Sequence, residues 1–142
     1  MPSAVVPNSS EVLMLQLLLN VVSQDGGAAP VGGERVLRLF SNDLEPDEST
    51  VVGDLTELSG GGYAGLTLAG ASWTIGTTSD VTTALYSVQY FTFTTNTTCF
   101  GFYVTTSEVT PKLLWIDRFT DAPFVFGNTG GIAAITPKIK LS

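Results

Sequence analysis

The chain of 142 residues contains no histidine and a single cysteine, and these two shortages remove most familiar chemistry before any motif is considered. Without an imidazole there is no Ser-His-Asp or Cys-His proton relay and no histidine-bearing zinc site. One thiol makes neither an internal disulfide nor a four-cysteine metal site, so stability has to come from packing or from partner subunits. Cys99, beside Phe100 at a predicted strand start, reads as a small buried apolar residue, because no histidine exists to activate it. Basic residues are scarce as well: six Lys and Arg against thirteen Asp and Glu give a formal charge of −7. Such a chain repels phosphate, which discounts nucleic acid as a partner and leaves solubility as the plain meaning of the acidity.

Long apolar runs are missing too. The longest, Val12 to Val22, spans about eleven residues, roughly half of what a bilayer-crossing helix requires. No Lys or Arg precedes Arg35, so the basic leading region of a signal peptide is lacking. We therefore expect no membrane partner. Asn8-Ser9-Ser10-Glu11 has the form of a capping box, and it predicts a helix from about Ser9 to Val22. That helix is apolar nearly all round and needs cover on more than one side, either by closing the open end of a sheet or by docking into a neighbouring subunit. The Gly-, Ala- and Pro-rich stretch from Gln24 to Gly33 reads as a connector. Residues 1–34 are thus expected to form an arm, helix and connector, and residues 35–142 a β-sandwich domain.

What the chain does have is apolar alternation. With 44% hydrophobic and 13% charged residues it can build one real core. Arg35 to Ser41 reads as a first strand covered on both sides, with Leu37 and Leu39 on one face and Val36, Arg38 and Phe40 on the other. Tyr63 to Leu68 and Ser72 to Ile75 read as strands broken at Gly70, and Tyr63, Leu66, Leu68, Trp73 and Ile75 as core or interface residues. Further strands are expected over Leu85–Thr95, Phe100–Thr106, Lys112–Thr120, Phe124–Phe126 and Ile132–Leu141, parted by turn residues. Within these, Tyr86–Thr94 and Phe100–Val104 are expected to form a central hairpin bent at Asn96-Thr97-Thr98, with Tyr86, Val88 and Tyr90 on one face, Phe91 and Phe93 on the other, and Gly101 leaving room for a large neighbour. Asp117 and Arg118 are adjacent and point to opposite faces, so each should pair elsewhere. Pro137 implies an edge or a bulge. The whole is a mainly β, antiparallel, sandwich or jelly-roll-like fold with a short N-terminal helix.

Two segments invite a ligand. Asn42 to Glu57 gathers Asp43, Glu45, Asp47, Glu48, Asp54 and Glu57, but read as a calcium loop from Asp43 its sixth position is Glu48 where glycine is needed, and its twelfth is Asp54. A solvated acidic loop with a short helical turn at Asp54–Leu58 is the better reading. Ser59-Gly60-Gly61-Gly62 lacks the following helix and the lysine of a phosphate cradle, and reads as a turn. Carboxylate pairs suited to glycoside hydrolysis are conceivable, yet most acids sit in that one loop and none in a catalytic motif. Asn8-Ser9-Ser10 and Asn96-Thr97-Thr98 match the glycosylation pattern by chance. We expect no enzyme, no catalytic residue, no cofactor and no metal.

Arg35-Val36-Leu37-Arg38-Leu39-Phe40-Ser41-Asn42, Gly61-Gly62-Tyr63-Ala64, Leu113-Leu114-Trp115-Ile116-Asp117-Arg118-Phe119 and Ile135-Thr136-Pro137-Lys138 occur in that order. Together they make the chain, from Arg35 onward, resemble the small virion proteins of tailed bacteriophages. The nearest role is a capsid decoration or cement protein. The resemblance implies a β-rich fold, a homotrimer, the major capsid protein as partner, synthesis in the host cytoplasm and a place on the capsid exterior, where the expanded head is reinforced against its DNA. It carries over no binding or catalytic residue. A tail, baseplate or fibre-associated protein is the alternative, and exposed Trp73, Tyr63 or Trp115 would favour a sugar-binding tip over plain core packing. A secreted adhesion module is disfavoured by the missing signal sequence.

Overall fold

The computed structural model describes residues 8–19 and 34–141. Among them lie one helix, α1 (Asn8–Leu18), and eleven strands: β1 (Arg35–Phe40), β2 (Leu66–Leu68), β3 (Thr74–Thr78), β4 (Val81–Leu85), β5 (Gln89–Phe93), β6 (Thr97–Cys99), β7 (Gly101–Thr106), β8 (Leu113–Arg118), β9 (Phe124–Phe126), β10 (Gly131–Ile135) and β11 (Lys138–Leu141). The strands form four antiparallel sheets, ordered β2-β1-β7-β8, β11-β4-β3, β10-β5 and β6-β9. The mainly β, antiparallel expectation with one short N-terminal helix is borne out, in a sandwich-like arrangement. Residues 20–22 of the expected helix, the arm and the connector fall outside the described residues.

One apolar core joins the sheets. Leu37 and Leu39 of β1, Leu68, Ala84, Phe91, Phe93, Phe102, Val104 and Ile135 meet in it, and Leu15 and Leu19 enter it from the helix. Helix α1 packs on β3 and β4 of its own chain. Arg35 Nε fastens the far end, donating to the Leu18 carbonyl at 2.6 Å and satisfying one of the acceptors a helix leaves open there. Every residue of β7 is buried because β1 and β8 flank it on both sides, and Gly101 opens the room for that packing. A Cβ at Gly101 would stand 2.6 Å from the buried Phe40 ring, so Phe40 is the large neighbour the sequence anticipates.

The expected central hairpin does not form. β5 pairs with β10, Tyr90 opposite Ala134 and Thr92 opposite Ile132, whereas β7 pairs with β1 and β8. The stretch assigned to the bend contains a strand of its own: β6 pairs with β9, and Phe100 N–H then bonds the Phe40 carbonyl as the chain enters the other sheet. Alternation marks a strand and its buried face but holds no information about its partner. The expected continuous strand from Leu85 is also shorter: Leu85 ends β4, a strand the sequence reading did not assign, and β5 begins only at Gln89. Between them Tyr86 turns inward, its N–H held by the Pro137 carbonyl, so Tyr86 is buried while Val88 and Tyr90 are exposed.

Smaller differences have similar causes. The helical turn of the acidic loop is a 3-10 turn at Val52–Asp54, ahead of the expected place, because the Asp54 carboxylate accepts the Val51 N–H at 2.9 Å and closes it from below. Pro137 occupies the break between β10 and β11, buried, where the chain passes from one sheet to another and no ladder donor is needed. Gly60, Gly61 and Gly62 all take positive φ, near 76°, 60° and 82°, a run that side-chain-bearing residues avoid, and the Gly61 carbonyl accepts the Thr94 N–H at 2.8 Å. The run is a turn, as read.

Candidate functional site

Arg118, at the end of β8, reaches the acidic loop with all three nitrogens: Nη2 to Asp43 at 2.7 Å, Nε to Glu45 at 2.9 Å, and Nη1 to the Leu44 carbonyl at 3.0 Å, its guanidinium lying over the Phe100 ring. Arg118 thus pairs with a loop and not with its neighbour Asp117. Arg38 holds the other end of the loop, donating to both oxygens of Glu57 at 3.0 and 3.1 Å and to Thr105. Asn42 spans the middle, accepting from Thr56 N–H and donating to the Asp54 carbonyl. Three of the loop's six carboxylates, Asp43, Glu45 and Glu57, are thus spent on fastening it to β1 and β8. Asp47 is held below the usual carboxylate range mainly by the Ser49 hydroxyl.

The buried polar groups are structural as well. Glu11, on the inner face of α1, accepts the Thr82 hydroxyl at 2.7 Å, and Thr82 lies 2.9 Å from Thr77, so the helix is tied to β3 and β4 by a polar contact inside an apolar seam. The Asn8 side chain lies outside the described residues. Tyr63 donates to Glu57 at 3.0 Å and accepts the Leu39 N–H at 3.0 Å, and burial drives its hydroxyl far above the ordinary range. Burial likewise pushes Tyr103 up to about 12 and Cys99 up to about 11. A thiol kept protonated at neutral pH is no nucleophile, in keeping with the sequence reading of Cys99 as a core residue.

Trp73 is buried, stacked edge-on against Tyr86 at 5.0 Å and Trp115 at 6.1 Å, while Trp115 and Tyr63 are partly buried against the same core. None of the three offers a bare ring for a sugar. Among the described residues no cluster of three or more Cys, Asp or Glu has the closeness of a metal site. No described helix is long and apolar enough to cross a membrane. Two clefts are notable: a groove of about 530 Å³ between α1 and the ends of β7 and β8, walled by Met14, Leu15, Leu18 and Leu114 with Arg35 and Lys112 at its margin, and a smaller one of about 220 Å³ beside β5 between Tyr63 and Tyr90.

The feature that sequence reasoning missed is a surface. Nine large apolar side chains are exposed among the described residues, and five of them, Val88, Tyr90, Phe124, Val125 and Ile132, lie on or beside the two-stranded ribbons β5–β10 and β6–β9. Phe91, Phe93 and Ile135 fill the inner face of the first ribbon, so its outer face, with Tyr90 60% and Ile132 61% exposed, is left to solvent. The ribbons abut, since Phe126 packs on Phe93 at 5.0 Å. Periodicity gives both faces of β5 and β10 as apolar, which hides which one is bare. No family model, curated protein or solved structure matches the chain.

Proposed function

We propose that this chain is a structural protein of a phage virion, most specifically a head decoration protein that binds the major capsid protein on the outside of the shell and stabilises it. The observation that carries this reading is the distribution of chemistry over the fold. Arginines and carboxylates hold the acidic loop to the sheet, hydroxyls and Glu11 hold the helix to the sheet, and five of the nine large apolar side chains offered to solvent gather on or beside the ribbons. Such a molecule is equipped for contact, because exposed apolar patches on a soluble fold mark surfaces that another macromolecule covers. The ordered resemblance over Arg35–Asn42, Gly61–Ala64, Leu113–Phe119 and Ile135–Lys138 supplies the virion assignment.

In this reading the protein works by avidity. Each apolar contact is worth about 25 cal/mol per Å² buried, a modest sum for one subunit, and three subunits joined on one shell bind together far more tightly than one. No catalysis is required, and we assign none. The test is imaging of particles of the encoding phage that carry a labelled copy. Density on the head exterior at local three-fold positions supports decoration; density confined to the tail transfers the role to a tail or baseplate component; particles without density reject both.

A further inference from the structure

The ribbons β5–β10 and β6–β9 carry no charged side chain in any of their four strands, on a chain whose formal charge is −7. A basic partner would be met by carboxylates and an acidic one by lysines, and this face supplies neither. Two copies of this chain repel through their carboxylates, so they can approach only where none is brought into contact. The ribbons are such a place. Three of the six carboxylates of residues 42–57 are instead held to the four-stranded sheet, Glu57 by Arg38 on β1 and Asp43 and Glu45 by Arg118 on β8.

The register adds shape to the charge argument. Tyr90 stands opposite Ala134 and Thr92 opposite Ile132, so each cross-strand pair of the outer face sets a bulky residue beside a small one. The bulky ones alternate between the two strands. A surface of that kind sets ridges beside hollows, a shape to which a copy of itself can be fitted bulky onto small. The glycine turn at 60–62 lies along the outer edge of β5, but β10 keeps an unpaired outer edge in the sheet order, and unpaired edges are where a neighbouring chain adds.

We infer that the outer face of β5–β10, continued over β6–β9, is the surface through which copies of this chain hold one another. This rests on the proposed function only in supplying the subunit contact of a decoration oligomer; the face itself follows from exposure, charge and register. A standard interface buries roughly 800 Å² per partner, and a contact made through two short ribbons is expected to be weak and to depend on concentration.

Sedimentation equilibrium of the full chain from about 1 to 200 µM tests it, comparing wild type with Tyr90→Lys and Ile132→Lys and with Val109→Lys, a fully exposed control off the ribbons. Wild type and the control should give a multiple of 15.0 kDa at the upper end, and the two ribbon variants should associate at least about 100-fold more weakly, since each buries an unpaired ammonium. Wild type remaining at 15.0 kDa throughout overturns the inference, as do ribbon variants that assemble like wild type. Should a variant misfold, amide exchange of wild type decides: residues 89–93 and 131–135 gain protection on concentration, or the inference fails. A wild type that decorates heads with its ribbons unprotected loses the inference and keeps the proposed function, whereas one that assembles through its ribbons but never binds a particle does the reverse.

Discussion

Alanine at Gly101 should destabilise the protein by about 2–3 kcal/mol, the upper range for forcing an extra methyl into a packed interior. The added Cβ would meet the Phe40 ring at 2.6 Å and the Asp117 backbone oxygen closer still. Neither can give way: Phe40 is fully buried, and Asp117 is in the β7–β8 ladder. Gly101 does not adopt positive φ, so without the clash the same change would be stabilising by about 0.4–1 kcal/mol through the unfolded chain. The sign therefore discriminates. In urea, at a slope of about 2 kcal/mol per molar, the midpoint should fall by roughly 1–1.5 M. Gly76→Ala, in β3 with open space around its Cβ, is the matched control and should leave the midpoint unchanged or slightly higher. In a Phe40→Ala background the cost of the Gly101 change should shrink by at least about 1 kcal/mol, because one of the two obstacles is gone. A Gly101→Ala midpoint at or above wild type would refute the packing described for β1, β7 and β8.

Glu11→Ala should cost about 2 kcal/mol and free α1, since it removes a buried hydrogen bond between a carboxylate and the Thr82 hydroxyl and leaves Thr82 only its contact with Thr77, and Glu11→Gln should cost less; thermal melts and amide exchange over residues 11–19 report both. Arg118→Met should lower stability by less than about 1 kcal/mol, because Asp43 and Glu45 are largely exposed, yet speed amide exchange through residues 42–57 several-fold. Cys99 should resist iodoacetamide at pH 8 in the folded state and react at once in urea, as burial holds its thiol at about 11. The same burial predicts alkaline sensitivity. Cys99 and Tyr103 have folded-state pKa values raised above their unfolded ones, so their neutral forms favour folding fully below about pH 9, and that contribution is lost as pH rises through about 11 and about 12. Urea midpoints should therefore decline between pH 9 and 12, and a flat profile there would contradict the burial of both groups.

Much of the fold was legible in the sequence because apolar alternation records burial. β1, β7, β8 and β9 appear close to their expected bounds, and Trp73, Leu68 and Tyr63 pack in the core as read. Gly101 announced its crowded site because a glycine inside an aromatic strand has few other reasons. Pairing was not legible. A hairpin between β5 and β7 satisfies the same alternation as the observed ladders, and only the three-residue β6, too short to show a period, sends the chain into the other sheet. The candidate surface was hidden for a related reason: with Phe91 and Tyr90 both apolar, the pattern cannot say which one the core takes. The fastening of the acidic loop was half legible. That Asp117 and Arg118 do not pair follows from strand geometry, but the partners of Arg118 lie 73 to 75 residues earlier in sequence, at Asp43 to Glu45, beyond any local signal.

The proposed function, that of a phage head decoration protein, depends on the claim that this fold is held against a larger shell. Co-sedimentation puts it to the most direct trial: purified protein is mixed with expanded heads of the encoding phage, prepared without it, and pelleted. We expect the protein to move to the pellet in a fixed, saturable ratio to the major capsid protein and to raise the temperature at which the heads rupture. Protein left in the supernatant at every concentration, with rupture unchanged, would contradict the claim.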